Sequence, residues 1–276
     1  MIKLIALDID GTLITSDRRI SEHTRAALNE AHRNGCAIVL ATGRAFRSLQ
    51  NVTELLGCPD YAITSSGGGL FRMDGTMIFA QDMAPEQVRA VTKIVNSFGA
   101  TPELYIQGQA YSSGYQLDNM ARWGLPEKNQ GYVLGTRVRI EDFDAFIEEK
   151  IELIEGMDVL TAPREIREPM RQALSAIPGL AVTSSSPWYI DINTVGVTKA
   201  SGLAQLGKML GIGAHEMMAF GDAENDLSMI EYAGIGVAMG NAAEEIKAAA
   251  DYITADNDHD GIALALERFG VIQKRR

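Results

Sequence analysis

Lys3-Leu4-Ile5-Ala6-Leu7-Asp8-Ile9-Asp10-Gly11-Thr12-Leu13 decides the fold class of this chain. Leu4 to Leu7 is a continuous apolar run without alternation, the pattern of a strand buried on both faces of a parallel sheet, and it ends at an acid. Ser21 then precedes a stretch, Glu22 to Ala31, whose apolar residues recur at helical spacing, and Gly35 stops that helix before a second apolar run, Cys36 to Ala41. These segments make a strand-helix-strand unit. The pattern returns in the last third, with a helix over 198–210, a strand over 217–220, a helix after Asn225, a strand over 235–239 and a helix over 242–250. Alternation of this kind predicts an α/β fold with a doubly wound parallel sheet.

Between these regions the texture changes. Charged helical patterns, 141–155 and 163–176, alternate with polar strands, 101–107, 109–113 and 180–184, which reads as an inserted α+β domain with an antiparallel sheet solvated on one face. The expected division is a core of residues 1–83 and 189–276 and an insert of 84–188, with Pro85 and Ser184-Ser185-Ser186-Pro187 as linkers.

The 276 residues are 46% hydrophobic and 22% charged, an ordinary globular mixture that excludes disorder as a description of the whole chain. Lysine and arginine number 25 against 36 acids, so a net charge of -11 disfavours nucleic acid or an anionic membrane surface as partner. Two cysteines, Cys36 and Cys58, are too few for a disulfide framework and lack zinc spacing. With no leader-like segment at Met1–Asp10 and no apolar run of about 18 residues, the expected location is the cytoplasm. The four histidines lack metal spacing and are expected to be solvated. Trp123, Tyr111 and Tyr115 are either insert core or pocket lining.

Ligands of parallel α/β sheets bind beyond the carboxyl ends of the strands. Four stretches lie there: Asp8 to Thr12, Ala41-Thr42-Gly43-Arg44, Lys199 at a helix start, and Gly221-Asp222 through Asn225-Asp226. Asp8 and Asp10 are two apart, so at the end of an extended strand their carboxylates project to one side and repel. Mg²⁺ relieves such repulsion, and its preference for one or two carboxylates, water and phosphate oxygens suits Asp8, Asp222 and a carbonyl at Asp10. Thr42 offers a hydroxyl, Gly43 a backbone N–H and Lys199 a compact positive charge to phosphoryl oxygens. A carboxylate facing phosphorus implies nucleophilic attack and an aspartyl phosphate. An Asp-x-Asp-Gly string alone is common in turns and calcium loops, but a calcium loop starting at Asp8 would need a Glu where Arg19 stands. Thr42 alone reads as a helix cap and Lys199 as a surface lysine, and the four stretches in this order change that reading; Arg44 either reaches a substrate or makes a structural ion pair.

Asp8-Ile9-Asp10-Gly11-Thr12-Leu13, Thr42-Gly43-Arg44, Lys199 and Gly221-Asp222 through Asn225-Asp226 resemble the four motifs of the haloacid dehalogenase superfamily. Within it, the chain is similar to the Cof-type sugar-phosphate phosphatases with a large cap between the second and third motifs. Gly236 to Ala242 and Asp258-His259-Asp260-Gly261 resemble that family's final segment. The resemblance implies a Rossmann-like core, a cap that reads the substrate, and Mg²⁺. It makes Asp8 the nucleophile and a metal ligand, and Asp10 the general acid and base whose carbonyl also binds metal. Ile9, Thr42, Gly43, Lys199 and Asn225 go to the phosphoryl group and Asp222 to the metal, with Asp226 and Arg44 in support. Ser65-Ser66-Gly67-Gly68 stands where many relatives carry Asn-Gly, which removes one substrate contact from the pattern. The function implied is hydrolysis of a small phosphorylated metabolite; a phosphomutase and a phosphometabolite-binding sensor are the alternatives.

Overall fold

The computed structural model describes residues 1–274. Its strands in chain order are β1 (Leu4–Leu7), β2 (Ala37–Ala41), β3 (Tyr61–Thr64), β4 (Gly69–Arg72), β5 (Met77–Ala80), β6 (Glu103–Ile106), β7 (Gln109–Ser113), β8 (Arg137–Ile140), β9 (Gly156–Leu160), β10 (Leu180–Ser186), β11 (Tyr189–Thr194), β12 (Met217–Gly221), β13 (Ile235–Ala238) and β14 (Tyr252–Ile253). They form two sheets.

The first runs β14-β13-β12-β1-β2-β3-β4-β5, parallel from β14 to β3 and closed by an antiparallel meander through β4 and β5. Strand β1 lies at its centre. Ile5 and Leu7 pack into one core with Leu28, Phe220 and Leu266, while Leu4 and Ala6 pack into the other with Leu203, Leu206 and Met229. That two-sided burial is why β1 shows no alternation, and each fully buried aliphatic side chain contributes roughly 1.5–3 kcal/mol. The helix Glu22–Arg33 begins where Ser21 accepts a hydrogen bond from the Thr24 N–H, as its sequence position predicts.

The second sheet runs β10-β11-β9-β6-β7-β8 and is antiparallel except for the parallel pair β7 and β8. Leu104, Ile106, Met157, Val159, Ile190 and Ile192 line one face and pack on Val88, Val91 and Val95 of the helix Pro85–Ser97 and on Met170 and Leu174 of the helix Arg164–Ser175. The other face carries Glu103, Tyr105, Asp158 and Asp191. Contrary to the expectation of a solvated face, all four are buried, because this side covers the carboxyl ends of β1 and β2.

Three sequence-based boundaries move. Tyr189–Thr194, expected to open the second core piece, is β11 and pairs with β9, so the insert's sheet extends past residue 188. Ser184–Ser186 ends β10 and turns directly into β11, and Pro85 opens a helix at its first position; neither is a linker. The helix expected over 141–155 spans Phe143–Lys150, and the chain then leads through a short turn into β9.

Glu155 lies at the junction of the two sheets. It is 1% exposed, its Oε1 accepts from the Gly108 N–H at 3.2 Å, and its Oε2 has no partner. Its backbone and side chain press on Gly68 and Gly69, where an added Cβ would come within 2.7 Å of the Glu155 carbonyl oxygen and 3.1 Å of Oε2. Burial, with Asp82 adding, pushes its pKa up to about 7 against the hydrogen bonds from Gly108 and Gln107. The folded state therefore holds a proton that the unfolded chain has lost between pH 4.5 and 7, and stability falls across that window as pH rises. Glu155→Gln is expected to remove this slope and to stabilise the protein at pH 8 by up to about 3 kcal/mol, with little change at pH 4.5. Urea melts of both proteins at the two pH values check it; a gain that does not depend on pH contradicts it.

Candidate active site

Asp8 follows β1 and is 6% exposed. Lys199, wholly buried, donates to Asp8 Oδ1 at 2.6 Å and to Asp226 Oδ1 at 2.5 Å. The lysine is placed by its helix: Thr198 caps Lys199–Leu210, so the first helical residue emerges at the floor of the cleft. Asp226 uses its second oxygen, Oδ2, to accept the N–H groups of Asp222 and Ala223, each at 2.9 Å. It is thus an orienting group, fixing Lys199 and the loop that carries Asp222.

Asp222 Oδ1 accepts from Thr12 Oγ1 at 2.6 Å. One oxygen from each of Asp8, Asp222 and Asp226 lies within 4.8 Å of the others. Lys199 is the cation among them. It stays protonated because Asp226 and Asp8 outweigh the cost of its burial. The acids are under-compensated: burial pushes Asp8 well above the usual carboxylate range, with Asp226, Asp222 and Asp10 adding and Lys199 opposing. Burial and Asp226 push Asp222 up to about 7. Asp8 Oδ2 and Asp222 Oδ2 take no hydrogen bond among the described residues, and Lys199, bonded to Asp8 and Asp226, is a single positive charge among three acids. This is the donor set of a hard divalent cation.

Gly11 is required here. It has φ +84°, and a Cβ at that position would lie 2.4 Å from Asp222 Oδ2. The backbone therefore passes directly beneath the free oxygen, with no space for a side chain.

Asp10 stands apart from these acids. Its carboxylate is half exposed and receives both Nε and Nη2 of Arg44, at 2.7 and 2.6 Å. The Arg44 guanidinium also lies 4.8 Å from the centre of the Tyr132 ring on the second sheet's side of the cleft. Thr42 is buried and its hydroxyl accepts from the Arg44 N–H. Asp8, Asp10, Thr42, Gly43 and Arg44 share one cavity of about 140 Å³ with Arg18, Tyr105, Tyr132, Asp158 and Tyr189. Ile9 is in the core, so only its backbone can reach this space. Asn225 does not line it among the described residues: its Nδ2 donates to Ser66 Oγ at 3.2 Å, beside a second hollow. Ser66 is thus tied to the loop that carries Asp222. The turn that carries Ser66 has it and Ser65 at φ near +50°, and it passes so close to the start of the Lys199 helix that a Cβ on Gly67 would meet the Thr198 carbonyl oxygen at 2.2 Å.

The insert's contributions were not singled out from sequence. Trp123, Tyr111 and Tyr115 prove to be elsewhere: Trp123 is core, Tyr111 packs on Phe146, and Tyr115 is exposed. The pocket aromatics are Tyr105, Tyr132, Trp188 and Tyr189. Tyr105, Asp158 and Tyr189 occupy alternating positions of polar-apolar strands, a signal present in the sequence. Tyr132 and Arg18 carry none. His23 is not freely solvated, since it lies between Asp260 and Glu267, away from the cleft.

The model of the haloacid dehalogenase-like hydrolases matches residues 5–266. The chain belongs to the haloacid dehalogenase-like hydrolases. Among curated proteins, this haloacid dehalogenase-like hydrolase is 30% identical to the 5-amino-6-(5-phospho-D-ribitylamino)uracil phosphatase YcsE of Bacillus subtilis (strain 168), over 97% of this chain and 96% of that one. It is also 30% identical to phosphatase YwpJ of the same organism, over 95% and 97%. Among solved structures it matches the subclass IIB sugar phosphatase BT4131 with a TM-score of 0.82 at 30% identity, covering 98% of this chain and all of the other. A haloacid dehalogenase-like hydrolase from B. subtilis gives 0.84 at 28% identity, covering 96% and 99%. The Cof-type membership and the Rossmann-like core with a cap, expected from the motifs, are thereby established, and the second sheet with its helices is that cap. The protein is an enzyme of the phosphatase type, hydrolysing phosphoric monoesters. No helix among the described residues is long and apolar enough to cross a membrane.

Proposed function

We propose that this hydrolase is a Mg²⁺-dependent phosphatase of small phosphorylated metabolites, most readily sugar monophosphates, acting through a phosphorylated Asp8. The observation that carries the reading is the position of Asp8: one oxygen is fixed by Lys199, and the carboxylate faces a cavity shared with Thr42, Gly43 and Asp10.

The residues divide the work by their surroundings. Asp8 attacks phosphorus and forms the acyl phosphate while the ester oxygen leaves. Lys199, held by Asp226, neutralises phosphoryl oxygens, and Thr42 and the Gly43 N–H donate to them. Asp10 protonates the leaving oxygen and then takes a proton from the water that attacks the acyl phosphate, regenerating Asp8. Both Asp10 oxygens are on Arg44 without substrate, so at least one of those bonds is exchanged for the leaving group. Asp8 and Asp222 through carboxylates and Asp10 through its carbonyl would hold Mg²⁺, which when bound supplies charge against the phosphoryl oxygens. The solvent face that water must leave is closed by the cap.

With 4-nitrophenyl phosphate and a panel of sugar monophosphates, release of inorganic phosphate is expected, to be abolished by chelator and restored by Mg²⁺. Full activity in chelator would remove the metal from the scheme. Isomerisation of a sugar phosphate without phosphate release would make the enzyme a mutase, and binding without turnover a sensor.

A further inference from the structure

The polar face of the cap sheet holds three carboxyls in one line. In register, Glu103 of β6 is opposite Asp158 of β9, and Asp158 is opposite Asp191 of β11. Directly opposed residues share a face, with Cβ atoms about 5 Å apart, and like charges there destabilise a sheet. The exposures of the three are 0, 7 and 3%. The fold offsets the row only in part. Arg137 pairs with Glu103 through one oxygen, Oε2, at 3.0 Å, and Ser185 donates to Asp191 Oδ1 at 3.0 Å. Glu103 Oε1 and Asp191 Oδ2 remain buried without partners.

Asp158 is the member of the row that reaches the active-site cavity. Its Oδ2 accepts from the Tyr105 hydroxyl at 2.5 Å, and its Oδ1 has no hydrogen bond among the described residues. Beside it in the same cavity, the hydroxyls of Tyr132 and Tyr189 are also buried without partners. A buried polar group left unpaired is costly, so this surface suits a ligand that supplies donors and acceptors. A second phosphate or carboxylate at Asp158 does not suit it, since it would lie against the acid row, while of the cavity's guanidinium groups Arg137 is engaged by Glu103, Arg44 by Asp10 and Arg18 by Asn129. An uncharged, hydroxyl-bearing group does.

We propose that Asp158 is a specificity-determining residue: held by Tyr105, it takes a hydroxyl of the leaving group and, with Tyr132 and Tyr189, selects monophosphates of uncharged polyhydroxylated compounds. The proposal rests on the phosphatase reading above. Burial, with Asp191 adding, pushes the Asp158 carboxyl well above its usual range, and in either protonation state Oδ1 can share a hydrogen bond with a hydroxyl.

The test compares Asp158→Ala and Tyr105→Phe with wild type, in Mg²⁺, on 4-nitrophenyl phosphate and on a panel of sugar and polyol monophosphates and a sugar bisphosphate. Asp158→Ala also relieves the carboxyl row, and Tyr105→Phe keeps the carboxyl, so at least one variant is expected to fold. Wild type is expected to prefer monophosphates to the bisphosphate. Asp158→Ala is expected to lower kcat/KM for the preferred monophosphates by about 10- to 100-fold, and Tyr105→Phe by less, while 4-nitrophenyl phosphate, with no hydroxyl to offer, changes by under about 3-fold. Equal losses on both substrate types, no loss on either, or a wild-type preference for the bisphosphate would overturn the assignment of Asp158. Absence of any turnover by wild type, 4-nitrophenyl phosphate included, would instead overturn the phosphatase reading itself.

Discussion

Asp8→Asn is expected to lower turnover by at least about 10³-fold, or about 4 kcal/mol of barrier, while the melting temperature stays the same or rises. The two halves have one cause. Burial makes the Asp8 charge costly to the fold, and that charge is what the reaction needs. An amide keeps the shape, leaves Lys199 its bond to Asp226, and ends nucleophilic attack. The intermediate can be trapped in Asp10→Asn with a phosphorus-labelled phenolic phosphate. That leaving group needs no acid, and loss of the base slows hydrolysis by on the order of 10²–10⁴-fold. Acid-quenched label is expected on a peptide containing Asp8 and is expected to vanish when Asp8→Asn is added. Label on another residue, or turnover within a hundredfold of wild type, would exclude Asp8 as nucleophile.

Lys199→Met is expected to damage stability and activity together. The lysine is fully buried between Asp8 and Asp226, so its removal leaves two buried acids without a counterion, a change that typically costs 3–5 kcal/mol. The sign with pH follows from protonation. As pH falls Asp8, whose carboxyl burial already pushes toward its protonated form, takes up a proton, so the deficit relative to wild type shrinks toward pH 5. Adding Asp226→Asn is expected to recover part of the stability and none of the turnover. Urea melts of the single and double variants at pH 5 and 8 measure this; a deficit that is unchanged by pH would mean that lost packing, not stranded charge, dominates.

Local signals made the core legible. Leu4–Leu7 reads as a central strand because both of its faces are buried, and Thr198 with Lys199 reads as a helix start because a cap acts within three residues. The grouping of Asp8, Lys199, Asp222 and Asp226 followed from strand ends meeting at one edge of a parallel sheet. The cap was less legible. Tyr189 to Thr194 alternates apolar and polar residues as an antiparallel strand should, but membership in one sheet or another is a tertiary fact. The row Glu103, Asp158, Asp191 exists only through pairings across 55 and 33 positions of sequence, and a one-residue shift in either register would scatter it. The Arg44–Asp10 pair was equally hidden, since a bidentate contact depends on rotamers of two exposed-looking residues.

Side chains reach across the cleft between core and cap. Arg18 donates to Asn129 at 2.5 Å, Arg44 stacks on Tyr132, and Arg171 bonds Glu224. Asp8, Asp10 and Thr42 belong to the core, yet Tyr105, Tyr132, Asp158 and Tyr189, which line the same cavity, are supplied by the chain between Pro85 and Thr194. Coulombic interactions at a given separation strengthen severalfold when water is replaced by protein. Walled by the cap, Asp8 and Asp10 act partly through protein instead of through bulk water alone. The inserted domain therefore sets the voltage at which the core's chemistry runs.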